Sequence, residues 1–186
     1  MKENKKTIIA VFLLVFTLIM STACGKNEAA NGSSSNTATE KQEKMTDSEY
    51  ASWYKEYLKR FEVRLMAFAL SLVPLDEVYN KEWASDVETK IDSMRELFSE
   101  AKEKEDKVPD TYKKVNGYLI KTDEKFEPLF KDILKVTKQD KVGDDDLKFI
   151  NPIMKKALEE MNHAKAEISK IEDEKANEEQ KDKSNS

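Results

Sequence analysis

The stretch "TDSEYASWYKEYLKRFEVRLMAFALSLVP", Thr46 to Pro74, decides the fold. Thr46-Asp47-Ser48-Glu49 has the Thr-x-x-Glu form of a capping box. In that motif a hydroxyl and a carboxylate satisfy amides that the first helical turn leaves unpaired. Behind it Tyr50, Trp53, Tyr54, Tyr57, Leu58, Phe61, Leu65, Phe68, Ala69 and Leu72 recur at steps of three and four. That period is one face of an amphipathic helix; a half-buried strand would alternate every two residues. The helix is expected to stop near Val73, because proline lacks the amide proton and restricts the residue before it.

The same reading extends toward the C-terminus. A second helix begins between Asp76 and Asn80, with Val78 or Tyr79, then Trp83, Val87, Ile91, Met94, Leu97 or Phe98, and Ala101 on its apolar side. Pro109 suits the first turn of a third, whose face runs Tyr112, Val115, Leu119, Phe126, Leu129 or Phe130, Ile133 and Val136. Pro128 falls inside that pattern, so a kink or a break into two shorter helices is expected at Glu127-Pro128. After an acidic loop, Asp140 to Asp146, a fourth helix carries Leu147, Ile150, Ile153, Met154, Ala157, Leu158, Met161, Ala164, Ile168 and Ile171. Asn151-Pro152 is either its cap and first residue or a kink within it.

Four such stripes joined by short loops cover one another most economically as an all-α antiparallel bundle. The expected organisation is a segment 1–23, a tether 24–44, the bundle at 45–175 and a tail at 176–186 without ordered structure. Only 4 Gly and 4 Pro among 186 residues agree with long helices. The 32 basic and 37 acidic residues nearly balance, which argues against a nucleic-acid surface and its clustered basic excess.

No constellation of catalytic side chains emerges, and neither a catalytic residue nor a cofactor nor a metal site is expected. His163 is the single histidine. Glu160 precedes it at the Glu-x-x-His spacing, but one such pair is half of a bundle di-metal site, and no HExxH is present. Asp140 and Asp144 to Asp146 suggest calcium. An EF-hand loop counted from Asp140 would place glycine where Asp145 stands and glutamate where Asn151 stands, so the match fails. The aromatic group Tyr50, Trp53, Tyr54 and Tyr57 has two readings. It is core and boundary packing, or it is an interaction patch beside the tether, since both residue types are enriched at interface hot spots.

The N-terminus speaks to location. Lys2, Lys5 and Lys6 precede the apolar run Thr7 to Met20, which small residues follow. That is the order of a secretory signal. The stretch "STACG", Ser21 to Gly25, resembles the lipobox of bacterial lipoproteins. In that family a signal peptidase cuts before a cysteine that has received a diacylglycerol. Cys24 matches the modified cysteine, Ala23 the small residue before it, and Thr22 the position before that. Ser21 departs from the pattern, which usually has an aliphatic residue there. The resemblance covers about the first 25 residues and implies lipid attachment at Cys24, on the outer face of the bacterial cell membrane. A rival is an uncleaved signal anchor, since Thr7 to Gly25 is uncharged over 19 residues and a spanning helix needs about 20; the topology would be the same.

Gly25 to Lys44, "GKNEAANGSSSNTATEKQEK", has no aromatic or large aliphatic residue and reads as a flexible spacer. The expected role is a non-catalytic binding module for an envelope protein. The alternative is a bundle that carries or senses a small hydrophobic ligand in a cavity lined by Phe61, Phe68 or Phe126. Replacement Cys24→Ala is expected to abolish metabolic labelling with palmitate; label retained in that variant would remove the anchor.

Overall fold

The computed structural model describes residues 44–72 and 79–184. Four helices account for most of them: α1 (Asp47–Ser71), α2 (Lys81–Glu103), α3 (Lys113–Val136) and α4 (Ile150–Ser184). Cys24, Pro74, the segment 1–23 and nearly all of the tether lie outside the described residues.

Each helix starts where local chemistry allows it. At α1 the amide of Glu49 donates to the Thr46 hydroxyl at 3.3 Å, and the amide of Thr46 donates to the Glu49 carboxylate at 2.7 Å. The box expected from the sequence is therefore closed in both directions. Asn80 caps α2, its side-chain oxygen accepting from the amide of Trp83 at 2.9 Å. Pro109 leads a 3-10 turn, Asp110–Tyr112, that feeds directly into α3. Pro152 is the third residue of α4, in the turn whose amides have no intrahelical partner.

The helices run antiparallel, as the contacts between them require. Arg60 and Arg64 of α1 meet Glu100 and Ser93 of α2, so a later residue on one faces an earlier one on the other. Arg95 of α2 reaches Glu127 of α3, and Lys102 reaches Asp123. Lys114 of α3 pairs with Glu167 of α4, while Asp47 and Glu62 of α1 pair with Lys175 and Lys165 of α4. The helices thus close into a ring of four seams, with α1 and α3 diagonal and parallel.

Aromatic rings fill that diagonal. Phe61 meets Phe126 at 6.4 Å between centroids, Phe68 meets Phe130 edge-on at 5.4 Å, and Tyr50 stacks on Tyr112 at 4.8 Å. Phe98 of α2 joins Phe126 at 5.4 Å. All are buried, together with the aliphatic stripes of α2 and α4. The expected apolar faces are the observed ones.

Two expectations need correction. Of the kink or break expected at Glu127-Pro128, the break does not occur: α3 is one helix through Pro128. Phe126, Leu129 and Phe130 are buried on both sides of the proline and hold the chain in register. Glu124 and Pro128 are exposed, so the carbonyl deprived of its amide partner lies on the solvent side. The tail, expected to be unstructured from 176, is helical as far as Ser184. Its residues are mostly Glu, Lys, Ala and Gln, strong helix formers. Loss of the apolar stripe ends burial there but not the helix.

Removing one ring from the diagonal tests this core. Phe126→Ala is expected to cost about 3–5 kcal/mol, read as a lowered urea midpoint with unchanged slope. A loss below 1 kcal/mol would mean that Phe126 is not in a close-packed core.

Candidate functional site

Of the two readings of the group Tyr50, Trp53, Tyr54 and Tyr57, core packing describes its three tyrosines. Tyr50, Tyr54 and Tyr57 are 0%, 2% and 0% exposed, and only Trp53 retains partial access to solvent. Their spacing turns the three tyrosines inward, where Tyr50 stacks on Tyr112. Trp53 bridges Tyr50 and Tyr57 at 5.2 Å from each, and Lys104 lies over its indole at 5.7 Å. The Tyr50 hydroxyl donates to Asn116 at 3.4 Å, and the Asn116 amide donates to the carbonyl of Ala101 at 3.1 Å. Burial pushes all three phenols above their ordinary range, so they are neutral at physiological pH. Among the described residues the hydroxyls of Tyr54 and Tyr57 find no hydrogen-bond partner.

Ionic groups line the seams. Arg60 forms a bidentate pair with Glu100, at 2.5 and 2.7 Å, and holds that carboxyl below the usual carboxylate range. Arg95 grips Glu127 the same way, at 3.1 and 2.9 Å. Arg64 donates to the carbonyl of Ser93. All three arginines of the chain therefore clamp α2 to a neighbouring helix. The guanidinium fork suits such two-point contacts where an ammonium does not. Sequence reasoning assigned them no role, because nothing local to Arg60 names Glu100 as its partner.

An open groove of about 470 Å³ runs between α2 and α3, lined by Arg95, Lys102, Asp123, Glu124, Glu127 and Lys131. Its three cations are paired with two of its carboxylates: Arg95 and Lys131 with Glu127, and Lys102 with Asp123. A groove lined by paired charges offers little to an apolar ligand. Phe61, Phe68 and Phe126, which would line the cavity of the ligand-binding alternative, lie in ring contacts: Phe61 with Phe126, Phe68 with Phe130, and Phe126 also with Phe98 and Phe130.

His163 is exposed, 3.7 Å from Glu160 on its own helix and against the ring of Tyr118. Among the described residues no group of three or more His, Cys, Asp and Glu side chains is arranged to hold a metal ion. In the acidic loop, Asp146 accepts from the amide of Gly143 at 2.8 Å and Asp145 pairs with Lys148 at 2.7 Å. These acids cap the 3-10 turn Asp144–Leu147 just ahead of α4.

One surface feature escaped the sequence reading. Val63, Met66 and Leu70 are 68%, 40% and 67% exposed, the large hydrophobic residues that face solvent among the described residues. They follow the buried face of α1 by a fraction of a turn, so a search for one stripe passes over them. The available signal was that Leu65 to Leu70 is uncharged and apolar on every side of the helix. No helix among the described residues is long and apolar enough to cross a membrane. Comparison with protein-family models, with curated proteins and with solved structures finds no match for this chain.

The seam pairs set a pH dependence. Glu100 is held down by Arg60, and Asp110, between Lys113 at 2.7 Å and Lys44 at 2.9 Å, is held down to about 2. Carboxyls depressed in the folded state stabilise it above their unfolded values, and that contribution is lost as pH falls through the folded ones. The gap in urea midpoint between wild type and Glu100→Gln is therefore expected to be widest at neutral pH and to narrow below about pH 4. A gap independent of pH would show that the Arg60 pair is not what depresses Glu100.

Proposed function

We propose that this chain is a membrane-anchored extracytoplasmic lipoprotein whose helical bundle acts by binding an envelope protein and not by catalysis. One observation carries the reading: the chain's single cysteine, Cys24, stands between an apolar segment with a basic start and a polar spacer that leads to the bundle. That is where a diacylglycerol would be attached, and two or more acyl chains anchor far better than one. Anchoring confines the bundle to a thin layer at the membrane and raises its effective concentration toward any partner held there.

The bundle's chemistry supports binding. The phenols are locked neutral in the core, and the displaced carboxyl pKa values belong to ion pairs and a helix cap. A general acid and base would instead be a facing pair pushed in opposite directions. Ring contact at Phe61, Phe68 and Phe126 counts against the hydrophobic-ligand alternative. Crosslinking in intact cells, followed by mass spectrometry of the neighbours, tests the proposal. Envelope proteins are expected in membrane-derived adducts, and these adducts should disappear with Cys24→Ala. Recovery of the protein in the cytoplasmic fraction, with cytoplasmic neighbours, would overturn it.

A further inference from the structure

On α1 the outward line of residues is Ser48, Ser52, Glu56, Lys59, Val63, Met66 and Leu70, spaced by fours and threes and all exposed. Its first four members are polar and its last three apolar. The charges that flank the apolar part point sideways: Glu62 pairs with Lys165 of α4 at 3.0 Å, and Arg64 bonds the Ser93 carbonyl of α2. Nothing on α1 itself therefore covers Val63, Met66 and Leu70.

We propose that this apolar stripe rests on the bilayer that holds the protein, so that the bundle lies with the outer face of α1 against the lipid. The inference depends on the anchored reading of Cys24. The tether leaves the bundle from α1 itself, at a point pinned by the Met45 amide on the Lys107 carbonyl at 2.8 Å and by Lys44 on Asp110 at 2.9 Å. Met66 lies 19 residues beyond Asp47, about 29 Å along the helix. Residues 25–43 also number 19 and span at most ~65 Å when extended. The anchored end can thus lie beneath the stripe without strain.

Three side chains fall well short of the roughly 800 Å² per partner that a stable protein interface needs, which disfavours a second copy or a folded partner as the occupant. A lipid interface demands no matching shape, and apolar side chains at one helix face enter it to a shallow depth. Lys59 extends the stripe with an aliphatic stem whose ammonium reaches the headgroups.

The test uses the full acylated protein in phosphatidylcholine vesicles, with an environment-sensitive fluorophore on Met66→Cys; Cys24 is blocked by its lipid. Lipids bearing a nitroxide on the acyl chain are expected to reduce emission by about half or more at position 66. They should leave a fluorophore on Lys125→Cys, exposed on the diagonally opposite helix α3, unchanged. Adding Val63→Lys and Leu70→Lys is expected to abolish the quenching at 66 while the helical circular dichroism is retained. Absent quenching in protein that still floats with the vesicles overturns the docking and leaves the anchor standing. Crosslinking of position 66 to itself between two copies also overturns it, in favour of a dimer. Protein that does not float with the vesicles overturns the anchor and the docking together.

Discussion

The diagonal contact between α1 and α3 is the constraint on which the rest of the bundle depends. In a four-helix ring the neighbours can meet through side chains of any size, but the diagonal must be filled by long ones. Tyr50 with Tyr112, Phe61 with Phe126 and Phe68 with Phe130 fill it at three levels. Aromatic rings are suited to this because each buries a large area and holds a defined angle to its neighbour. The diagonal sets the width of the bundle, and the width sets which charged side chains can reach across each seam.

The seams follow from that spacing. Arg60, Arg64 and Arg95 each tie α2 to an adjoining helix, two of them through bidentate carboxylate pairs. Such exposed or half-exposed pairs contribute little energy individually, typically about 0–1 kcal/mol. Their effect is on register: a helix displaced by one turn would lose every fork at once. Lys165 and Lys175 act similarly between α4 and α1 with single-point contacts. Charge at these seams is used within the domain, as it is in the groove between α2 and α3, where Arg95 meets Glu127 and Lys102 meets Asp123.

That internal use of charge sharpens the functional reading. At the seams the ionic groups are aimed at each other, which leaves the outer face of α1 as the surface feature to explain. Among the described residues, the large hydrophobic side chains that face solvent are the three on the outward line of α1. They share the helix from which the proposed tether departs, so anchoring and surface chemistry converge on one element. The α4 helix, at 35 residues, outruns the 23 to 25 of the others, and its C-terminal turns extend past the start of α1 where Lys175 meets Asp47.

Much of this was legible in the sequence by itself. The period of three and four in Tyr50 to Leu72 determined a helix, the Thr46 and Asn80 side chains determined where two helices begin, and four apolar stripes determined an all-α bundle. These are local properties, carried by backbone hydrogen bonding and by the side on which side chains emerge. Tertiary structure alone decided three matters. It decided that Tyr50, Tyr54 and Tyr57 lie inside, because an amphipathic pattern does not say how wide its buried sector is. It decided that α3 passes through Pro128 unbroken, because packing on both sides outweighs one lost amide. And it decided which group each arginine meets, 29 to 40 positions away, and which side of α1 stays uncovered, which depends also on α4 contacts 103 and 128 positions away that only the bundle's width brings within reach.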